Sequence, residues 1–206
     1  MDCRYRHTDS ATTLVLQTRL IAEIGHSTER PLGTALVVDL HRAAMAGTGM
    51  RSTFRRGPQA AVVGGSPHYV CPPASQLSHL LEGFCTALQA ALVSWDAHHA
   101  AALALWSLCY LHLFSDGNGR TARCLAFAVL ARTGAATVSV SCLHRFHTYY
   151  RTRAVRRHYF ETLQATTDVL SSIADPLDFP EEAFAPLASL ISEATEWAGN
   201  RLAAAC

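Results

Sequence analysis

Two apolar stretches dominate the middle of the chain: AAALALWSLCYL at residues 100–111 and CLAFAVLA at residues 124–131. A helix that is apolar on every side has to sit inside a core, so whatever fold forms is built around this pair. The link between them is the polar run HLFSDGNGRTAR, residues 112–123. A connection between two core helices needs only a turn. This one carries an imidazole, a carboxylate, a Gly-Asn-Gly turn and two arginines.

The rest of the chain reads as mostly helical. Residues 12–24 have apolar positions 14, 15, 16, 20, 21 and 24, ending near Gly25, and Leu36, Val37, Leu40, Ala43 and Ala44 continue the three-to-four spacing up to Gly47. AAVV and HYVC, on either side of GGSP, read as a β-hairpin, stopped by Pro72 and Pro73. Further helices are expected from SQLSHLLEGF onward and through DAHHAAALAL. RTARCLAFAVLARTG should be closed by Gly134. One helix, or two broken near Thr148, should follow from residue 138, and a last one through Pro186 to Asn200. The expected class is all-α with one short hairpin, and no linker marks a domain cut.

The chemistry sits in the central run. Glycines around Asn118 let successive backbone N–H groups turn inward together, and a helix start adds unpaired N–H groups and a positive dipole end. That is a site for an anion, phosphate above all. Arg120 and Arg123 share one face of the first helical turn and could hold a chain of phosphates. Asp116 would repel phosphate unless Mg²⁺ bridges them. His112 ends the preceding helix, and its ordinary pKa of about 6.5 leaves it mostly neutral at pH 7, fit to take a proton from a hydroxyl. Taken singly, His112 is a helix-end residue, Asp116 a cap and the arginines a solvated face. Taken together they read as group transfer from a nucleotide.

The run resembles the signature of the Fic (filamentation-induced-by-cAMP) family, H-x-F-x-[D/E]-G-N-G-R-x-x-R, at all eight specified positions, with Leu113 where a proline is common. DLHRAAMAG and FRRGPQAAVVGGSPHYVCPP are similar to the family's helix and its target-docking hairpin, the flap. RRHYFETL resembles the helix that follows the signature. The resemblance implies a Fic-type helical domain over residues 36–206, with residues 1–35 as an N-terminal helical extension. It also implies a protein adenylyltransferase, with His112 deprotonating a Ser, Thr or Tyr hydroxyl that attacks the α-phosphate of ATP. Asp116 would hold Mg²⁺. Gly117, Asn118 and Gly119 would line the anion hole, with Asn118 near the α-phosphate, and Arg120 and Arg123 would hold the β- and γ-phosphates. Phe114 would turn inward as an anchor, a target segment would dock on the flap at about residues 60–71, and the adenine pocket is placed no more closely than Tyr159.

Other donors (UTP, GTP, phosphocholine or plain phosphoryl transfer), removal of AMP, and a non-catalytic binding module are the competing readings. Many family members carry an inhibitory glutamate in [S/T]-x-x-x-E-[G/N]. Ser189 with Glu193 and Ser192 with Glu196 fit its first part and are favoured over Glu23. A separate antitoxin protein or a second copy of the chain are further partners the resemblance allows.

Composition sets outer limits. The 206 residues suit one domain, or one domain with a small extension. With 17 basic against 16 acidic residues, net charge favours neither nucleic acid nor an anionic membrane, and the Arg151, Arg153, Arg156, Arg157 cluster reads as a solvated face. No signal-peptide core and no membrane span is expected. Seven cysteines without a C-x-x-C pair suggest folding in a reducing, bacterial cytoplasm, with later export as an effector left open. His98 with His99, and His144 with His147, fall short of a zinc set.

Overall fold

The computed structural model describes residues 11–26, 31–49, 51–57, 60–63, 66–173 and 177–203, with only the backbone course given for 60–63, 66–70 and 200–203. Gly64 and Gly65 of the hairpin turn, Cys3 and Cys206 lie outside the described residues.

The helices are α1 (Ala11–His26), α2 (Thr34–Ala44), α3 (Leu77–Ser94), α4 (Ala97–Leu111), α5 (Asn118–Arg132), α6 (Val140–Tyr149), α7 (Arg153–Ser171) and α8 (Ala185–Ala203). The fold is all-α, with strands β1 (Ala60–Val63) and β2 (Ser66–Val70) paired as an antiparallel hairpin. Their register shifts between Ala61 and Val62, next to Pro67. Proline has no N–H for a ladder, and an irregularity beside it lets the pairing continue.

α4 and α5 form the centre. α1, α2 and α6 surround α5, while α3, α7 and α8 cover α4. Every residue of α4 from Ala100 to Leu108 is buried, as is every residue of α5 from Cys124 to Leu130. The alanines among them let neighbouring helices approach closely, and each fully buried Leu or Phe contributes roughly 1.5–3 kcal/mol. The outer helices bury one stripe each. On α3 the stripe is Leu77, Leu81, Phe84, Leu88 and Ala91, at three-to-four spacing.

The helix ends follow local chemistry. Asp96 caps α4, accepting the His98 backbone N–H at 2.8 Å, and Ser139 caps α6 through the Cys142 N–H at 3.0 Å. The break between α6 and α7 falls at Tyr150–Thr152. Before α8 the chain makes a 3₁₀ turn, Glu181–Phe184, so Pro186 becomes the second residue of the helix, where its missing N–H has no intrahelical role. Among the described residues, no helix is long and apolar enough to cross a membrane.

Candidate active site

The site begins where α4 stops. His112 caps the helix in the left-handed region (φ 47°, ψ 54°), the one non-glycine residue with positive φ among those described. Its N–H still reaches the Leu108 carbonyl at 3.2 Å, so the helix closes on this residue, whose ring turns back to the Cys109 backbone. Burial lowers the pKa of His112, and the Arg55 guanidinium pushes the same way. A hydrogen bond to the Cys109 backbone and the Asp116 carboxylate act in opposition. The net result is a neutral imidazole at pH 7, the form that can accept a proton.

The next residues fold inward. Leu113 and Phe114 are buried. The Phe114 ring stacks on His41 with centroids 3.6 Å apart and meets Phe54 edge-on at 5.6 Å. Asn118 closes the loop: its side chain accepts the Phe114 N–H at 2.9 Å and donates to the Phe114 carbonyl at 2.7 Å. That amide is therefore committed to the loop, and what Asn118 can offer an anion is its backbone N–H. His41 secures the other side. A carbonyl can only accept, so the 2.9 Å contact of Nε2 with the Asp116 carbonyl fixes the proton on Nε2, and Nδ1 accepts from the Ser52 hydroxyl at 2.8 Å.

Gly117 precedes α5 with φ 79°, and a Cβ there would come within 2.5 Å of the Met45 sulfur. Only glycine meets both demands. Its N–H donates to the Asp116 carboxylate at 2.6 Å. The first intrahelical bond joins the Thr121 N–H to the Gly117 carbonyl, so the N–H groups of Asn118, Gly119 and Arg120 start the helix with no carbonyl beneath them. Arg120 donates to the Ala44 carbonyl at 3.1 Å and stands 4.0 Å from the Asp116 carboxylate, which is two-thirds exposed.

Arg123 is held from behind. Its Nε donates to His147 Nδ1 at 3.2 Å, so His147 must carry its proton on Nε2, which donates to the Gln17 side-chain oxygen at 3.0 Å. The Cys124 thiol donates to that same oxygen at 3.2 Å. Burial, followed by the Arg123 charge, holds the pKa of His147 well below its ordinary value. A neutral acceptor on Nε leaves the two terminal nitrogens of Arg123 for other partners.

All of His112, Asp116, Gly117, Asn118, Gly119, Arg120 and Arg123 thus stand at one junction, because one loop and one helical turn carry them. Glu193 and Glu196 stand elsewhere, on α8. Both are exposed, and Glu193 accepts the Tyr149 hydroxyl at 2.6 Å. Tyr159 does not offer a face to a base: it is buried between Tyr150 and Phe160, with its hydroxyl 3.5 Å from the Cys109 sulfur. His144 is exposed while His147 is buried, so this pair does not converge. His98 and His99 lie beside Asp96, and among the described residues no three His, Cys, Asp or Glu side chains gather to hold a metal. His41 and Arg55 lie in the segments that resemble the family's helix and flap, but no sequence pattern announces the contacts that they, Gln17 and His147 make here.

The profile of the Fic/DOC family matches residues 31–130, from just before α2 through most of α5. Residues 31–130, just under half of the chain, form its Fic/DOC domain. Protein adenylyltransferase Fic of Culex quinquefasciatus is 40% identical over 100 residues, covering 47% of this chain and 18% of that protein. Its namesake in Nematostella vectensis is 50% identical over 50 residues, covering 24% and 12%. The matches therefore span less than a fifth of these relatives. The fold is shared more widely. A Fic-domain-containing signaling protein from Bacteroides thetaiotaomicron superposes with a TM-score of 0.66 at 17% identity, over 91% of this chain and 71% of that one. A Fic family protein from Desulfovibrio desulfuricans gives 0.56 at 17% identity, over 94% and 65%.

Within this Fic domain, the residue best suited to a divalent cation is Asp116. One of its oxygens takes the Gly117 N–H and the carboxylate is otherwise largely open to solvent. A single carboxylate beside an anion cradle fits Mg²⁺, which is commonly held through one or two carboxylates together with substrate phosphates.

Proposed function

We propose that this chain is a protein adenylyltransferase, moving AMP from ATP to a Ser, Thr or Tyr hydroxyl of a target protein. The observation that carries the reading is the convergence at the α4–α5 junction of a neutral histidine, a helix N-terminus preceded by Gly117, and two arginines. The names of the insect and sea-anemone relatives point the same way.

His112 accepts the proton of the target hydroxyl as that oxygen bonds to the α-phosphorus. The bond from the α-phosphorus to the oxygen bridging to the β-phosphate breaks, and pyrophosphate leaves with its electron pair. Backbone N–H groups at the start of α5 receive the charge that grows on the phosphate oxygens, where preorganised donors are worth most. Arg120 and Arg123 hold the outer phosphates, the latter aimed by His147. Mg²⁺ held by Asp116 would neutralise charge on the α- and β-phosphates. The β1–β2 hairpin offers its backbone edge to an extended segment of the target.

Intact mass after incubation with Mg²⁺ and each nucleotide in turn tests this, with and without a lysate as source of target. ATP should add AMP, and His112→Ala should lower the modification by at least ~10²-fold, the scale of a general base. Unchanged modification in that variant would overturn the mechanism. Addition of phosphate, UMP or phosphocholine would reassign the donor.

A further inference from the structure

Arg55 is a buried arginine, 8% exposed, whose hydrogen bonds run to backbone carbonyls. Its Nε donates to the His112 carbonyl at 2.8 Å, Nη1 to Gly57 at 2.9 Å, and Nη2 to Pro72 and to Leu111, the latter at 3.2 Å. Its own backbone N–H donates to the Leu113 carbonyl at 2.8 Å. One residue therefore grips three successive carbonyls, 111, 112 and 113. They bracket the single non-glycine residue with positive φ among those described.

Two physical consequences follow. The last carbonyls of α4 lack intrahelical partners and form the negative end of its dipole, so a cation that donates to them matches both needs. A histidine in the left-handed region persists only where its surroundings over-determine it, and the grip of Arg55 on either side of His112 supplies that constraint. The same planar fork reaches the two feet of the hairpin, since Gly57 precedes β1 and Pro72 follows β2. A lysine, with its donors on one nitrogen, could not span these four carbonyls.

We propose that Arg55 is a positioning residue, fixing the His112 backbone and tying it to both feet of the β1–β2 hairpin, so that seating a target strand and aiming the imidazole are one coupled event. This rests on reading His112 as the base and the hairpin as the docking edge.

The test uses the full chain with Arg55→Ala and Arg55→Lys, the second keeping the charge where the first fails to fold. Three quantities are compared with the unaltered protein: affinity for ATP with Mg²⁺ by calorimetry, modification rate at saturating ATP, and backbone hydrogen exchange. The expected result is ATP affinity within about twofold and a rate lower by about 10–10²-fold, the scale of a misplaced reacting group. Exchange should quicken together in segments 55–72 and 108–116. A rate within about twofold of the unaltered protein, or quickened exchange confined to one of the two segments, overturns the proposal. If the unaltered protein transfers nothing, the functional reading falls, and the exchange experiment alone decides whether Arg55 couples loop and hairpin.

Discussion

At Asn118 a single side chain makes a loop into a fixed object. Its amide satisfies both the N–H and the carbonyl of Phe114, and all these groups are buried. Asn118→Ala would leave a donor and an acceptor unpaired in the interior, at about 1–3 kcal/mol for each. We expect that variant to unfold at markedly lower urea concentration and to bind ATP more weakly, because the start of α5 loses its anchor. An unchanged unfolding midpoint would show that the loop holds without this clasp. The signature run named its residues from the sequence because eight neighbouring positions carry the pattern. Arg55, His41 and Gln17 could not be found that way. Arg55 meets His112 across 57 residues, His41 meets Asp116 across 75, and Gln17 meets His147 across 130. Their neighbours in sequence do not encode those meetings; the packing of the helices does.

Among the elements, α4 was the easiest to read and is the least tolerant. Its apolar residues on every face already demanded burial, and the alanines set how closely α3, α5 and α8 can approach. Ala104 is fully buried. Ala104→Leu adds volume where a densely packed interior has none to give, which costs about 1–3 kcal/mol. Thermal unfolding should show the loss, and a variant as stable as the parent would reveal unsuspected slack around α4. The ends of other elements were less legible. The α6–α7 break, expected near Thr148, lies at Tyr150–Thr152, and the last helix begins only after a 3₁₀ turn. Both boundaries depend on where aromatic rings lodge: Tyr150 between Phe146 and Tyr159, and Phe184 beneath Trp106. Periodicity marks a helix but does not say where tertiary contacts will cut it.

For the whole molecule, three buried or half-buried histidines give stability one sign of pH dependence. His41, His112 and His147 each have a lowered pKa in the fold, with burial as the first cause. Between those values and about 6.5 the unfolded chain binds more protons than the folded one. Their contribution is therefore present above about pH 6.5 and is lost as the pH falls below it. Urea midpoints measured from pH 8 to pH 5 should drop through that range, and His147→Gln should flatten the drop. A midpoint independent of pH would contradict the neutral assignments. The histidine behind Arg123 carries a last consequence. Its partner Gln17 belongs to α1, whose Leu14, Ile21 and Ile24 are themselves buried, whereas the recognisable family stretch starts only at Pro31. The border that kinship draws along this chain cuts through ground that the folded molecule treats as undivided.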